Sequence, residues 1–209
     1  MKTLGIIGGG HLGQQLAYHA LNAQFDSVVF FDDTQDKETR NKFGVVIGGI
    51  SEVEKTYQNQ GFDALIVGIG YKHIAFRKHI FEQHYGKIPF ANIIHSTAWV
   101  DPSATLGEGV VIYASCTIDA DSVIKNNVLM NVGATIAHDT TIGAHSFLAP
   151  RVAIAGFVDI GESCILGINS TVIDNIKITS QTQLGGGALV IHSIDKKGLY
   201  VGNPSKFIR

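Results

Sequence analysis

A histidine and an aspartate stand side by side in the second half of the chain, at His138 and Asp139. A neutral imidazole can take a proton from an amine or a hydroxyl, and a neighbouring carboxylate orients the ring for this task. Gly156 follows His138 by 18 residues, a spacing that the repeat described below turns into spatial proximity. The backbone N–H of a glycine beside the imidazole can stabilise an oxyanion. These three residues predict a general base beside an oxyanion site.

A second candidate site lies near the N-terminus, where residues 8–13 read Gly-Gly-Gly-His-Leu-Gly and match G-x-G-x-x-G. Glycines let the backbone approach a phosphate, and a helix N-terminus favours an anion. An acidic pair follows about twenty residues later, where a carboxylate holds a ribose or a base. A later strand ends at residues 68–72, and Lys72 or Arg77 could supply charge for a phosphate. The candidate nucleotide-binding residues are Gly8, Gly9, Gly10, His11, Asp32, Asp33, Gly70, Tyr71 and Lys72.

The elements that position these residues follow from the hydrophobic pattern. It predicts strands over 4–8, 27–33, 45–50, 64–68 and 91–95, and helices over 11–23, 52–60 and 73–85. Alternating strands and helices form a parallel α/β sheet with helices on its faces. We therefore predict a half-Rossmann domain over residues 1–95. A unit of this size suits a mononucleotide better than a dinucleotide.

The rest of the chain follows a repeat of six residues. Every sixth residue from Val100 to Val190 is aliphatic, and the residue four places after each aliphatic is small or β-branched. This period predicts an all-β parallel β-helix of hexapeptide repeats over residues 96–209, with three hexads in each coil and the aliphatics on its axis. His138 and Gly156 then share one corner in successive coils. Five glycines follow core aliphatics directly, and we expect a backbone conformation there that other residues disfavour: Gly107, Gly143, Gly161, Gly167 and Gly185.

Composition narrows the classes of partner. The chain has 209 residues, a formal net charge of −2 and 16% charged residues. Such a balance argues against binding to nucleic acid or to a membrane surface, which needs a basic face. The longest apolar runs are of strand length, and the N-terminus lacks the apolar region of a signal peptide. A cytoplasmic location is the expectation.

Metal and thiol chemistry are not expected. Cys116 and Cys164 occupy inward positions on different sides of the predicted prism, as buried core residues do. His138 and His145 project from different sides as well. A zinc site built from three histidines has no third histidine between Val100 and Val190.

Several segments together carry a family resemblance. They are the glycine loop with Phe31-Asp32-Asp33, the uninterrupted hexads, residues 131–139, Leu166-Gly167-Ile168-Asn169-Ser170, residues 184–188 (Leu-Gly-Gly-Gly-Ala) and the closing residues 197–206 (Lys-Gly-Leu-Tyr-Val-Gly-Asn-Pro-Ser-Lys). With these segments, essentially the whole chain resembles the sugar O/N-acetyltransferases of the PglD and NeuD type.

The resemblance implies a left-handed β-helix that forms a homotrimer with an active site between adjacent prisms. Acetyl-CoA lies in the groove between prisms, and the N-terminal domain holds the nucleotide of a nucleotide-linked amino sugar. His138 matches the general base of the family, whereas Asp139 stands where these enzymes carry glutamate, and Asn131 matches a position near the acceptor. The residues matching the acetyl-CoA groove are Phe147, Gly156, Ile168, Gly186 and Gly187.

The implied reaction is direct transfer of an acetyl group to the C4 amine of a 4-amino-4,6-dideoxy sugar linked to UDP, dTDP or GDP. Three alternatives stay open at this point. The acceptor could be a sugar or sialic acid hydroxyl, the chain could be a non-catalytic trimeric scaffold that binds a nucleotide, or it could be a nicotinamide-dependent oxidoreductase.

Overall fold

The computed structural model describes the whole chain, Met1–Arg209, as two compact units, Met1–Ile93 and Ile94–Arg209. The first unit is built on a four-stranded sheet in the order β3-β2-β1-β4, with all strands parallel. Its strands are β1 (Thr3–Ile7), β2 (Ser27–Phe31), β3 (Val45–Gly48) and β4 (Ala64–Val67). Its helices are α1 (His11–Leu21), α2 (Val53–Gln58) and α3 (Ile74–His84), with short 3₁₀ turns at Ile50–Glu52 and Tyr71–His73.

The predicted alternation of strands and helices is confirmed in this unit. Strands β1 and β4 are apolar along almost their whole length because both faces of a parallel sheet are covered. The first strand begins and ends one residue earlier than predicted, the other predicted elements are longer than the observed ones, and residues 91–95 contribute only a two-residue strand outside this sheet. The carboxyl ends of all four strands lie at one edge, which gathers the loops that begin at Gly8, Asp32, Gly49 and Gly68.

The second unit is a left-handed parallel β-helix with three faces, which confirms the predicted fold. Face I contains β7 (Thr105–Leu106), β10 (Val123–Ile124), β13 (Thr141–Ile142), β16 (Asp159–Ile160) and β19 (Lys177–Ile178). Face II contains β6 (Trp99–Val100), β9 (Thr117–Ile118), β12 (Thr135–Ile136), β15 (Ala153–Ile154), β18 (Thr171–Val172) and β21 (Leu189–Val190). Face III contains β5 (Ile93–Ile94), β8 (Val111–Ile112), β11 (Leu129–Met130), β14 (Phe147–Leu148), β17 (Ile165–Leu166), β20 (Gln183–Leu184), β22 (Leu199–Val201) and β23 (Lys206–Phe207).

Successive coils stack in register at intervals of 18 residues. Ile136 pairs with Ile118 on one side and with Ile154 on the other, and the same shift holds along each face. The aliphatic of each hexad points to the axis and is buried in one continuous core. This stacking buries apolar side chains that no single coil could cover.

The glycines that follow core aliphatics have a different role from the one expected. None of the five has a left-handed backbone, so that expectation is wrong. A Cβ on Gly143 would instead overlap the backbone of Gly161 in the next coil, and one on Gly167 would meet the backbone of Gly185. The close stacking of coils, rather than backbone conformation, requires glycine there.

The left-handed residue of each hexad lies two positions later. Every sixth residue from Gly109 to Gly187 has a positive φ, and most of these residues are glycine, asparagine, aspartate or serine. Asparagine and aspartate tolerate this region because their short polar side chains bond locally. The non-glycine members are Ser115, Asp121, Asn127, Asp139, His145, Arg151, Phe157, Ser163, Asn169, Asn175 and Gln181.

The C-terminal segment closes the last coil. Strand β22 adds in parallel to β20, and β23 pairs antiparallel with β22. The ammonium of Lys196 lies 3.9 Å from the centre of the Phe207 ring, a cation–π contact that holds this hairpin. None of the three helices of the chain has the length and apolar character needed to cross a bilayer.

A histidine in the first unit is buried without being a candidate for chemistry. His84 is in the last turn of α3, and only 1% of its surface is exposed. Burial lowers the pKa of His84 below its ordinary value, although the Glu54 carboxylate, 3.3 Å from Nδ1, offsets part of this effect. The folded chain therefore keeps this imidazole neutral to a lower pH than the unfolded chain does.

This difference predicts a loss of stability in acid. The unfolded state takes up the proton as the pH falls below about 6.5, while the folded state does not, so unfolding becomes more favourable. His84→Leu should remove this contribution, which is at most about 1.4 kcal/mol per pH unit. Urea denaturation at neutral and mildly acid pH measures it. Equal slopes for His84→Leu and wild type would contradict the assignment.

Candidate active site

The predicted base and its partner lie together at one corner of the prism. The turn between β12 and β13 carries His138 and Asp139, and the imidazole Nδ1 lies 2.9 Å from Asp139 Oδ2. Asp139 has φ = 56°, the left-handed conformation that this corner imposes. With Nδ1–H donated to the carboxylate, Nε2 carries the lone pair, and no group of the chain bonds to it. Nε2 is therefore free to accept a proton.

Gly156 lies directly against this imidazole, one coil further on. A Cβ at Gly156 would come within 2.7 Å of Cε1 and 2.9 Å of Nε2 of His138, so glycine is needed for the ring to sit there. The Gly156 N–H donates to no acceptor in the chain. An amide without a partner beside the base is suited to stabilise a developing oxyanion.

Phe157 is a member of this site that the sequence analysis missed. Its ring packs edge to face against the His138 imidazole, with the ring centres 5.1 Å apart and the planes at 85°. Its backbone N–H donates to the His138 carbonyl at 3.2 Å. The signal available in the sequence was a large apolar residue at a corner position where most hexads have small or polar residues.

The residues predicted to line the acetyl-CoA groove lie elsewhere on the same prism. We define the histidine edge as the turns that join face II to face I, which include residues 137–140, 155–158 and 173–176. The cofactor edge is the set of turns that join face III to face II, which include residues 131–134, 149–152, 167–170 and 185–188. Ile168, Gly186 and Gly187 are on the cofactor edge, and Phe147 is in β14 on face III.

Asn131 is also on the cofactor edge. Its Oδ1 accepts a hydrogen bond from the Val132 N–H at 2.8 Å, and its Nδ2 donates to no group of the chain. The chain therefore brings His138, Asp139 and Gly156 together, but it places Asn131, Ile168 and the glycine pair across face II from them.

In the first unit, Asp32 holds the glycine loop in place. Its carboxylate accepts hydrogen bonds from the Gly9 N–H at 2.7 Å, from the N–H and the hydroxyl of Thr34 at 2.8 and 2.6 Å, and from Gln35 at 3.0 Å. Partial burial would raise the pKa of Asp32, but these hydrogen bonds outweigh it and lower the pKa. The carboxylate is thus occupied by the protein itself.

The glycine loop is tightly packed. Gly8 has φ = 99° and donates its N–H to the Phe31 carbonyl at 2.8 Å. A Cβ at Gly13 would overlap the Gly8 carbonyl, whereas Gly10 faces open space. Its glycines therefore serve packing at two positions and leave an accessible backbone at Gly10.

A cavity of about 420 Å³ opens at this edge of the sheet. Asp33 lines it, with Oδ1 accepting a hydrogen bond from the Ile50 N–H at 2.8 Å. His73 and Phe76, which the sequence analysis did not select, form part of the wall, and about half of the Phe76 surface is exposed. The full lining is Ile7, Gly8, Phe31, Asp32, Asp33, Thr34, Ile50, Ile69, His73 and Phe76.

None of the remaining predicted nucleotide contacts is part of the wall of this cavity. Gly70 precedes the 3₁₀ turn that carries Tyr71 and Lys72, both exposed. His11, at the start of α1, borders a separate depression of about 370 Å³. Arg77 is buried, so the expectation that it supplies charge for a phosphate at the surface is wrong.

Solved structures resemble the chain over its whole length, although no family model matches it. A histidine-to-asparagine variant of perosamine N-acetyltransferase from Caulobacter crescentus, with CoA and GDP-perosamine, is 30% identical, has a TM-score of 0.92, and matches all of this chain and 98% of its own. The acetyltransferase domain of PglB from Neisseria gonorrhoeae is 28% identical, with a TM-score of 0.91 and complete coverage of both chains. WeeI from Acinetobacter baumannii shares the fold at 17% identity, a TM-score of 0.74 and complete coverage of both chains.

This chain belongs to the hexapeptide-repeat acetyltransferases of nucleotide-linked amino sugars. The acetyltransferase has no thiol suited to form an acyl intermediate. Burial raises the pKa of Cys164 to about 11, and burial likewise raises the pKa of Cys116. Both sulfurs are inside the prism, where they donate to backbone carbonyls. Of the groups at the histidine edge, His138 is the only imidazole, and its Nε2 has no partner in the chain.

The contact between Gly156 and His138 predicts that a larger residue at position 156 lowers turnover. Gly156→Ala should push the imidazole away from its position, and a displacement of about 1 Å can reduce turnover by about 100-fold. Steady-state acetyl transfer measures kcat, and circular dichroism checks the fold. Asp174 occupies the same corner one coil further and already carries a side chain, so Asp174→Ala is the matched control and should stay within about twofold of wild type. Full activity of Gly156→Ala would show that the imidazole need not occupy this position.

Proposed function

We propose that this acetyltransferase transfers the acetyl group of acetyl-CoA to the C4 amine of a nucleotide-linked 4-amino-4,6-dideoxy sugar. The observation that carries the proposal is the His138–Asp139 pair, with Nε2 free and the unpartnered Gly156 N–H beside it. The neighbours at 28–30% identity support the class of acceptor, since perosamine N-acetyltransferase was solved with GDP-perosamine and CoA.

The reaction proceeds by direct attack of the amine on the thioester carbonyl. His138 Nε2 removes a proton from the amine as the C–N bond forms, and Asp139 stabilises the resulting imidazolium. The carbonyl oxygen takes up negative charge and accepts a hydrogen bond from the Gly156 N–H. Collapse of the tetrahedral intermediate breaks the C–S bond, and the CoA thiolate takes the proton back from His138.

Acetyl-CoA binds along the cofactor edge in this proposal. Ile168 is half exposed and offers an apolar contact to the pantetheine chain. Gly186 and Gly187, one coil after Ile168, are exposed and leave their backbone open to hydrogen bonds with the pantetheine amides. Phe147 borders the groove from face III. Asn131, with a free Nδ2, is placed to donate to the acceptor.

We further propose a homotrimer, in which the histidine edge of one subunit meets the cofactor edge of the next. Face II lies between the two edges, and none of its outward side chains is charged: Trp99, Thr117, Thr135, Ala153, Thr171 and Leu189. Large apolar side chains are exposed along both borders, Phe157 and Ile173 on one side and Val132 and Ile168 on the other. Such a patch is typical of a protein interface.

The trimer can be tested with one charge on face II. Thr135→Asp places a carboxylate in the middle of this face, where burial against another subunit would leave it unpaired, at a cost of several kcal/mol. We expect dissociation to monomers by light scattering, together with loss of activity. Thr105→Asp, exposed on face I, should remain a trimer. A trimeric Thr135→Asp protein would exclude this face as the interface.

The first unit would hold the nucleotide at the carboxyl edge of its sheet. The cavity between Asp33 and Phe76 accommodates a base, and the exposed backbone at Gly10 suits a phosphate. Gly70, Tyr71 and Lys72 would contact the nucleotide beside this cavity, and His11 would contact it from the start of α1, while Asp32 keeps Gly8 and Gly9 in place. We also propose a cytoplasmic location, where acetyl-CoA and nucleotide-linked sugars are made.

The decisive experiment is an acetyl-transfer assay on a matched panel of acceptors. UDP-, dTDP- and GDP-linked 4-amino-4,6-dideoxy sugars are compared with their 4-hydroxy counterparts and with free sialic acid, following CoA release and product mass. We expect N-acetylation of one amino sugar, and His138→Ala should lower kcat by about two to four orders of magnitude. Turnover of a hydroxyl acceptor alone would assign O-acetylation instead. Nucleotide binding without any turnover would indicate a scaffold, and an unaffected His138→Ala variant would refute the mechanism.

A further inference from the structure

One corner residue of the prism has a conformation that does not suit its side chain. Phe157 has φ = 58°, in the left-handed region. Bulky residues are rare there because Cβ approaches the backbone carbonyl. The same corner position carries asparagine at Asn127, Asn169 and Asn175, which tolerates this conformation better. Strain of this kind is concentrated at functional sites.

The Phe157 ring is also exposed to an unusual degree. About 55% of its surface is accessible, so the ring contributes little to the core of the prism. Within a single prism, a phenylalanine that is both strained and exposed gains little from burial. Its contact with the His138 ring, at 5.1 Å between ring centres, is the feature that distinguishes it from the other corner residues.

Three groups surround the imidazole of His138. Gly156 lies against the ring, Asp139 binds Nδ1, and Phe157 packs almost perpendicular to the imidazole plane. With half of its side chain exposed, His138 would otherwise exchange freely between rotamers. Phe157 is the bulkiest of these groups.

We propose that Phe157 is a positioning residue, which confines the His138 imidazole to the orientation that keeps Nδ1 on Asp139 and Nε2 free. The inference rests on the proposed function, in which His138 is the base. The conformational cost of an aromatic residue at this corner is offset by the gain in activity from a correctly oriented base.

Phe157→Asn tests the proposal, because asparagine suits the backbone but removes the ring. We expect a Tm equal to or above that of wild type, a kcat lower by roughly tenfold or more, and KM values for acetyl-CoA and acceptor within about twofold. Phe157→Tyr should keep most of the wild-type kcat, since it restores the ring. Gln181→Asn makes the same kind of change at another left-handed corner, φ = 60°, with no contact to His138, and should leave kcat unchanged.

A spectroscopic readout separates positioning from other roles. The carbon-bound ring protons of His138 should show ring-current shifts in the wild-type protein that disappear in Phe157→Asn and persist in Gln181→Asn. An unchanged kcat or unchanged His138 shifts in Phe157→Asn would overturn the proposal, as would a raised KM with normal kcat, which would make Phe157 a substrate contact.

The two proposals fail in distinguishable ways. If His138→Ala remains active, the proposed mechanism fails whatever Phe157 does. If His138→Ala is inactive while Phe157→Asn turns over normally, the base stands and only the positioning role is lost.

Discussion

The in-register stacking of coils is the constraint on which the second unit depends. Each coil pairs with the next at a shift of 18 residues, so that inward aliphatics of successive coils stack on one another along the core. Because the backbone closes at the same corners in every coil, residues that are 18 positions apart become neighbours. The same spacing positions the residues of the site: Gly156 lies against His138 because it occupies the same corner in the adjacent coil.

Stacking also imposes a different structural requirement on each residue of a corner. The residue directly after a core aliphatic approaches the adjacent coil closely, and several of these positions are glycine because a Cβ would meet backbone atoms. The residue two places later turns the chain with a positive φ. Asp139 adopts this left-handed conformation and also binds His138 through its carboxylate. One residue therefore meets the structural requirement of the corner and supplies the carboxylate of the site. Phe157 satisfies the same backbone requirement at a conformational cost, beside the same imidazole.

The first unit uses a different principle to assemble a site. Parallel strands end at the same edge of a sheet, and the loops that follow them converge there. Hydrogen bonds from Gly9, Thr34 and Gln35 to Asp32 tie two of these loops together, so that the backbone next to the cavity is held in place before a ligand arrives. Both acidic residues line the cavity, but their partners differ: Asp32 binds the glycine loop and its own neighbours, whereas Asp33 accepts a hydrogen bond from Ile50.

Alternating strand and helix patterns were enough to predict the first unit. For the second unit, a strict period of six converts directly into position on a three-sided coil, so the inward and outward pattern and the pairing of His138 with Gly156 could be predicted as well. The sequence also located the glycine loop at a strand end. Only the tertiary structure revealed that Phe157 contacts the base, that Arg77 is buried, and that Asp32 is occupied by the glycine loop and its own neighbours. These features depend on side-chain direction and on partners distant in sequence. A periodic pattern specifies which corner a residue occupies, but packing decides what its side chain meets there.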